Sequence, residues 1–167
     1  FFYLQNLFRN GISVLLVCSM FDILFCVNKE ENKKYWALIL GASSGFGGAT
    51  AMKLAEDGYN IIGVHLDRQS TMPNVEKIIN HIESQQRQAI FYNVNAADQF
   101  KRVEIAKELK EKLNGEPVIK VLMHSLAFGT LKLFIPKTDE QTITHAQMEM
   151  TLDVMAHSLV YWVQEIH

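Results

Sequence analysis

Cysteine is almost missing from this sequence: Cys18 and Cys26 both lie in the first thirty positions and none follows. A disulfide framework and a cysteine-rich metal site are therefore excluded for the remainder of the chain. A surplus of either charge is missing too, since 16 Lys and Arg stand against 18 Asp and Glu for a formal net charge of −2. No basic field of the kind a phosphate backbone needs is available, so nucleic acid is not expected as a partner. None of the six histidines has a helix partner at ligand spacing together with a third ligand, and no metal is expected. A G-x-S-x-G elbow is also lacking, and Asp153 with His157 on one helix face has no nucleophile in reach, which removes a Ser-His-Asp hydrolase.

One long apolar stretch occurs, in residues 1–28, and Arg9 and Asp22 interrupt it. A spanning helix wants about 20 apolar residues. Residues 11–27 fall short of that and carry Asp22, and the following NKEENKK supplies no convincing small-residue cleavage site. Membrane anchoring by residues 1–28 is thus not favoured, a cytoplasmic protein is expected, and residues 1–33 are read as an extension outside the core fold. The start at Phe1 and the end at His167 inside a helical pattern suggest a fragment cut at both ends.

What the chain does have is apolar content, 49% of its residues, enough for one core. From Tyr35 short apolar runs alternate with amphipathic stretches of helical period, the signature of βαβ units around a parallel sheet. Strands are expected at 35–40, 60–66, 89–94 and 118–124. The intervening helices are expected at 45–57 (burying Ala49, Met52 and Ala55), from Pro73 onward (Val75, Ile78, Ile79, Ile82) and at 97–113 (Val103, Ala106, Leu109, Leu113, closing at Asn114-Gly115). After a loop with Gly129 and Pro136, a last helix from Thr144 places Met148, Leu152, Met155, Leu159 and Trp162 inward. The fold class is α/β: a doubly wound parallel sheet of Rossmann type, three-layer αβα, truncated after the fourth βα unit, over residues 34–167. With the four strands in the spatial order third, second, first, fourth, a crevice opens between the first and the fourth, at the carboxyl ends of the strands.

The chemistry sits just after each strand. Gly41, Ser43, Ser44, Gly45, Phe46 and Gly47 form a G-x-x-x-G-x-G turn between a strand and a helix. Glycines there permit a tight turn and close approach of a pyrophosphate to the N–H groups and positive dipole of the helix, and the serines add hydroxyl donors. Asp67 and Arg68 end the second strand, with Asp67 twenty positions after Gly47. The carboxylate suits the ribose hydroxyls of NAD, the guanidinium the extra phosphate of NADP. The cofactor is NAD or NADP, with the lean to NAD. Asn93 and Val94 could edge and face the adenine, and Ser125, Leu126 and Ala127 line the crevice lip beside Phe128. A lone His124 reads as a rim or core histidine.

On these residues the chain resembles the short-chain dehydrogenases/reductases: LILGASSGFGGATAMKLAEDGYNIIGVHLDR matches the opening of that superfamily, and FYNVNAAD and VLMHSLAFG continue the match to the end. HSLAFG, and LDVMAHSLVYWVQ with Met155 in place of a structural asparagine, look like the enoyl-acyl-carrier-protein reductase branch, which serves fatty acid synthesis. The resemblance implies hydride transfer between a nicotinamide and an enoyl thioester, with a Tyr/Lys pair acting on the oxygen. That pair is expected beyond His167, so no catalytic residue is assigned, Tyr161 included, and the chain alone is expected to be inactive. It also implies a small-molecule or acyl-thioester substrate and a homo-oligomer of the complete protein. The alternatives are a carbonyl or alcohol dehydrogenase on the same fold and a dinucleotide-binding module without catalysis.

Overall fold

The computed structural model describes residues 13–16, 29–114, 118–135 and 142–167. Both cysteines, Gly115 and Pro136 lie outside the described residues. Five parallel strands form one sheet in the order β1-β5-β2-β3-β4, with β1 Ser13–Leu16, β2 Trp36–Leu40, β3 Asn60–His65, β4 Ala89–Asn93 and β5 Ile119–His124. The last four take the expected spatial order. Ser13–Leu16 departs from expectation, because it pairs with Val121–His124 as an edge strand and so brings part of the 1–33 extension into the sheet.

The central strands read as unbroken apolar runs because both of their faces are covered. Along β2, Trp36, Leu38 and Leu40 point into one core with Ile62, Val64, Leu109, Leu122 and Trp162. Ala37 and Ile39 point into the other, with Ala51, Ala55, Ile78, Ile82 and Met123. After the single-turn helix α1 (Lys29–Asn32), helices α2 (Gly45–Glu56) and α3 (Met72–Ser84) cover the second face, and α4 (Gln99–Lys112) and α6 (Ser158–Ile166) the first. This is the three-layer αβα arrangement. Each wholly buried Leu or Ile contributes about 1.5–3 kcal/mol of transfer free energy, which is why the sheet centre fixes the fold.

Three helix faces differ from the sequence reading. In α2 the buried residues are Gly47, Gly48, Ala51 and Ala55, while Ala49 is exposed, since small residues bring the helix axis close to the sheet. In α4 the buried stripe is Arg102, Ile105 and Leu109 and leaves Val103 exposed. Arg102 turns inward toward α6, where its guanidinium lies over the Tyr161 ring, 4.9 Å from the centroid, and its Nε is 3.9 Å from Glu165 Oε1. The last helix is not continuous: α5 (His145–Leu152) passes through a π-helical turn, Asp153–His157, before α6. The wider turn shifts the helical phase, so Val154, Ser158 and Trp162 are buried while Leu152 and Met155 are exposed. Leu159 packs against the core as expected.

Candidate functional site

At the carboxyl ends of β2, β3 and β5 a cleft of about 410 Å³ opens, lined by the turn after β2, the ends of β3 and β4, and the segment after β5. The backbone builds it. Gly41 N–H donates to Val64 O (2.8 Å) and Ser125 N–H to Leu40 O (2.8 Å), so each strand end is pinned to its neighbour before the chain turns away. Gly41 has φ +88°, and a Cβ there would lie 2.4 Å from Ser125 O. A Cβ on Gly47 would lie 2.0 Å from Gly41 O. Neither position can carry a side chain unless the backbone moves. Gly45 is different: its φ is +53° and a Cβ would meet nothing within 4 Å, so the missing side chain keeps space open instead of avoiding a clash.

Ser44 precedes α2 in an extended conformation and its side chain caps no helix N–H. The first amides of a 12-residue helix therefore face the cleft with the positive end of the helix dipole behind them. An open concavity rimmed by unclaimed N–H donors fits a diphosphate in size and charge. Phe46, 76% exposed, and Phe128, 57% exposed, both line the cleft.

The ends of β3 and β4 are tied by side chains. Asn93 Oδ1 accepts from Asp67 N–H (2.9 Å) and Asn93 Nδ2 donates to Asp67 O (3.0 Å). Asp67 Oδ2 lies 2.9 Å from His65 Nδ1, both side chains being largely buried. Burial pushes the Asp67 carboxyl up, but hydrogen bonds from Ser43 and Thr71 and the neighbouring His65 outweigh it and hold the group below the usual carboxylate value. On the opposite wall His124 Nε2 meets Ser158 Oγ at 2.9 Å, and Ser158 donates to Val154 O at 2.7 Å. Behind β4, Trp162 Nε1 donates to Ala96 O at 2.9 Å.

Burial lowers the His124 pKa, with weaker opposing contributions from the carbonyls of Val154 and of His124 itself. A folded-state value below the unfolded value of about 6.5 means that the unfolded chain takes up the proton first as pH falls. Stability from this site is thus complete above about pH 6.5 and is lost on acidification below it. Denaturant titrations between pH 7.5 and 5, roughly spanning that range, should show unfolding free energy declining, and His124→Gln should flatten the decline. An identical slope in the variant would remove His124 as its source.

The sequence profile of the family described as short chain dehydrogenase matches residues 35–167. The chain belongs to the short-chain dehydrogenase family. Solved structures agree in fold. An NADPH-dependent reductase involved in bacilysin biosynthesis, YwfH, is 21% identical with a TM-score of 0.63, over 80% of this chain and 48% of its own. Carveol dehydrogenase from Mycobacterium avium, in complex with NAD, is 19% identical with a TM-score of 0.63, over 78% and 47%. A short chain dehydrogenase from Burkholderia cenocepacia J2315, in complex with NADP, is 21% identical with a TM-score of 0.61, over 81% and 50%. This short-chain dehydrogenase chain therefore spans about half the length of the solved structures it matches. No curated relative matches it in sequence.

Of the residues singled out in the sequence, Gly41, Ser43, Ser44, Gly45, Phe46, Val94, Ser125, Leu126 and Ala127 line the cleft of the dehydrogenase domain. Gly47 is buried beneath the turn, where it lets Gly41 approach. Asp67, Arg68 and Asn93 do not line it: Arg68 is exposed and Asn93 is spent on clasping Asp67. Val64, His65, Leu66, Asn95, Ala96 and Val154 line it in addition. His65 and Asp67, two apart at a strand end, share a side of the sheet, and that spacing was the available signal. Val154 carried none, because the π turn that presents it leaves no mark in the apolar pattern. Among the described residues, no tyrosine or lysine lines the cleft, no group of three His, Cys, Asp or Glu could hold a metal ion, and no helix is long and apolar enough to cross a membrane.

Proposed function

We propose that the chain is the cofactor-binding half of an NAD(P)-dependent oxidoreductase that reduces an enoyl thioester. The observation that carries the cofactor is the glycine turn: open space at Gly45, uncapped helix amides behind it, and family membership across residues 35–167. A bound nicotinamide dinucleotide would supply or accept the hydride. The protein's part is binding and orientation. The amides of Ser43 to Phe46 would hold the diphosphate, the side bounded by His65, Leu66 and Val94 the adenosine, and Ser125, Leu126 and Ala127 the path toward the nicotinamide. The cofactor is NAD or NADP: Asp67, two positions beyond β3, motivates the lean to NAD by its sequence position alone, since its carboxylate faces His65, and Arg68 is exposed.

The enoyl-thioester assignment rests on HSLAFG after β5 and on Met155 within the π turn. Met150, Leu152, Met155, Val160 and Tyr161 expose apolar surface along α5 and α6, which supports a homo-oligomer of the complete protein. The test is reductase activity of the full-length protein, followed by nicotinamide absorbance with a short 2-enoyl thioester and, separately, with a ketone. Oxidation of the reduced cofactor by the enoyl thioester alone is expected. Turnover of the ketone alone would move the protein to the carbonyl-reducing readings, and cofactor binding with neither turnover would make it a binding module.

A further inference from the structure

The segment after β5 is tied to the last helical stretch at two points, and the two ties straddle the π turn. At its start, His124 Nε2 lies 2.9 Å from Ser158 Oγ, the first residue after the turn. Further on, Thr130 N–H donates to Thr151 Oγ1 at 3.2 Å, in α5 before the turn. Thr151 itself donates to Gln147 O at 2.8 Å, and a Cβ on Gly129 would come within 2.6 Å of Thr151 Cγ2, so backbone and helix touch there. Between the ties, Ser125, Leu126, Ala127 and Phe128 line the cleft, as does Val154 of the turn.

Ser158 joins the π turn to the first of these ties. Its backbone N–H reaches Asp153 O, one residue beyond the α-helical acceptor, which would be Val154 O. The Ser158 hydroxyl donates to Val154 O instead, at 2.7 Å. With its single proton spent there, Ser158 Oγ accepts from His124, and Nε2 carries the proton. Ser158 is wholly buried, which raises the cost of losing either partner.

We infer that His124 and Thr151 are positioning residues, which clamp the segment from Ser125 to Phe128 across the π turn and so fix where the nicotinamide end of a bound dinucleotide stands. That action rests on reading the cleft as the dinucleotide site of a reductase. The turn assigned to the diphosphate, residues 41–47, joins β2 to α2 and takes part in neither tie. Placement of the nicotinamide and affinity for the dinucleotide should therefore separate.

The experiment uses the full-length protein with His124→Leu, His124→Gln and Thr151→Val. Leucine removes the donor to Ser158, the glutamine amide keeps one, and valine keeps the volume of threonine without its hydroxyl. Turnover of the thioester or ketone that the unmutated protein reduces is measured beside NADH and NADPH dissociation constants and amide hydrogen exchange without cofactor. His124→Leu and Thr151→Val should each lower kcat about tenfold, the scale of a sub-ångström displacement of the reacting groups. Both dissociation constants should stay within about twofold, and exchange should quicken at residues 125–130 and 154–159. His124→Gln should recover most of the turnover. Parallel losses of affinity and turnover with faster exchange throughout would reveal a merely loosened fold and overturn the inference. Unchanged kcat in either His124→Leu or Thr151→Val would overturn it as well, as would His124→Gln performing no better than His124→Leu. Should the unmutated protein reduce neither substrate, the reductase reading fails by itself, and exchange then decides the clamp: rates unchanged at 125–130 in the variants would remove it.

Discussion

Trp162→Ala should lower the unfolding free energy by about 3–5 kcal/mol, the range for removing a fully buried large aromatic. The indole is wholly buried in the core beneath β2 and β5, and its N–H donates to Ala96 O. Truncation therefore opens a cavity and also leaves a carbonyl without its donor in a buried place, which costs about 1–3 kcal/mol by itself. Against a typical total of 5–15 kcal/mol, this approaches the whole stability of a small domain. Trp162→Phe separates the contributions, since it keeps most of the volume and loses only the donor. Ala96 lines the cleft, so both variants should also loosen the wall between Val94 and Ala96 and weaken cofactor binding. Chemical denaturation at unchanged m-value is the measurement, and a cost for Trp162→Ala below about 1 kcal/mol would show that the indole does not anchor α6.

Gly45→Val should act on binding instead. A side chain at Gly45 meets no protein atom within 4 Å, so overpacking does not arise. The stability cost is that of a branched residue at φ +53°, about 1–2 kcal/mol. The added methyl groups stand in the mouth of the turn, where the diphosphate would approach the α2 amides. Dinucleotide affinity should fall by roughly 100-fold, or about 2.7 kcal/mol. Gly47→Ala supplies the contrast. Its Cβ would come within 2.0 Å of Gly41 O, so that variant should lose stability before affinity can be measured. Near-normal affinity in folded Gly45→Val would take the diphosphate away from this turn.

Strands β2 to β5 were legible because they are short, mostly apolar runs of five or six residues, all of β2 and β3 being buried, and such runs separated by helical periods admit few topologies. The glycine turn was legible because the residue types themselves report the backbone: Gly41 and Gly47 stand where any side chain would collide. Helix faces were harder. In α4, Val103 and Ala106 fall on as good a helical stripe as Arg102 and Ile105, and the Tyr161 ring and the Glu165 carboxylate, both on the distant α6, decide for the arginine. The π turn at Asp153–His157 changes the phase between α5 and α6, so one pattern read at 3.6 residues per turn places Leu159 and Trp162 inward correctly but misplaces Leu152 and Met155. Pairing of Ser13–Leu16 with β5 depends on an edge far away in sequence. Asp67 shows the same limit at the site, since its position at a strand end was plain and the direction in which its carboxylate closes was not.

The central claim is that the turn from Gly41 to Gly47 holds a dinucleotide diphosphate, and amide hydrogen exchange of the full-length protein with and without saturating NADH or NADPH tests it most directly. Saturable binding with exchange slowed at residues 41–47 and at 125–127 is the predicted result. Binding that leaves 41–47 unprotected, or no binding of either dinucleotide, would contradict it.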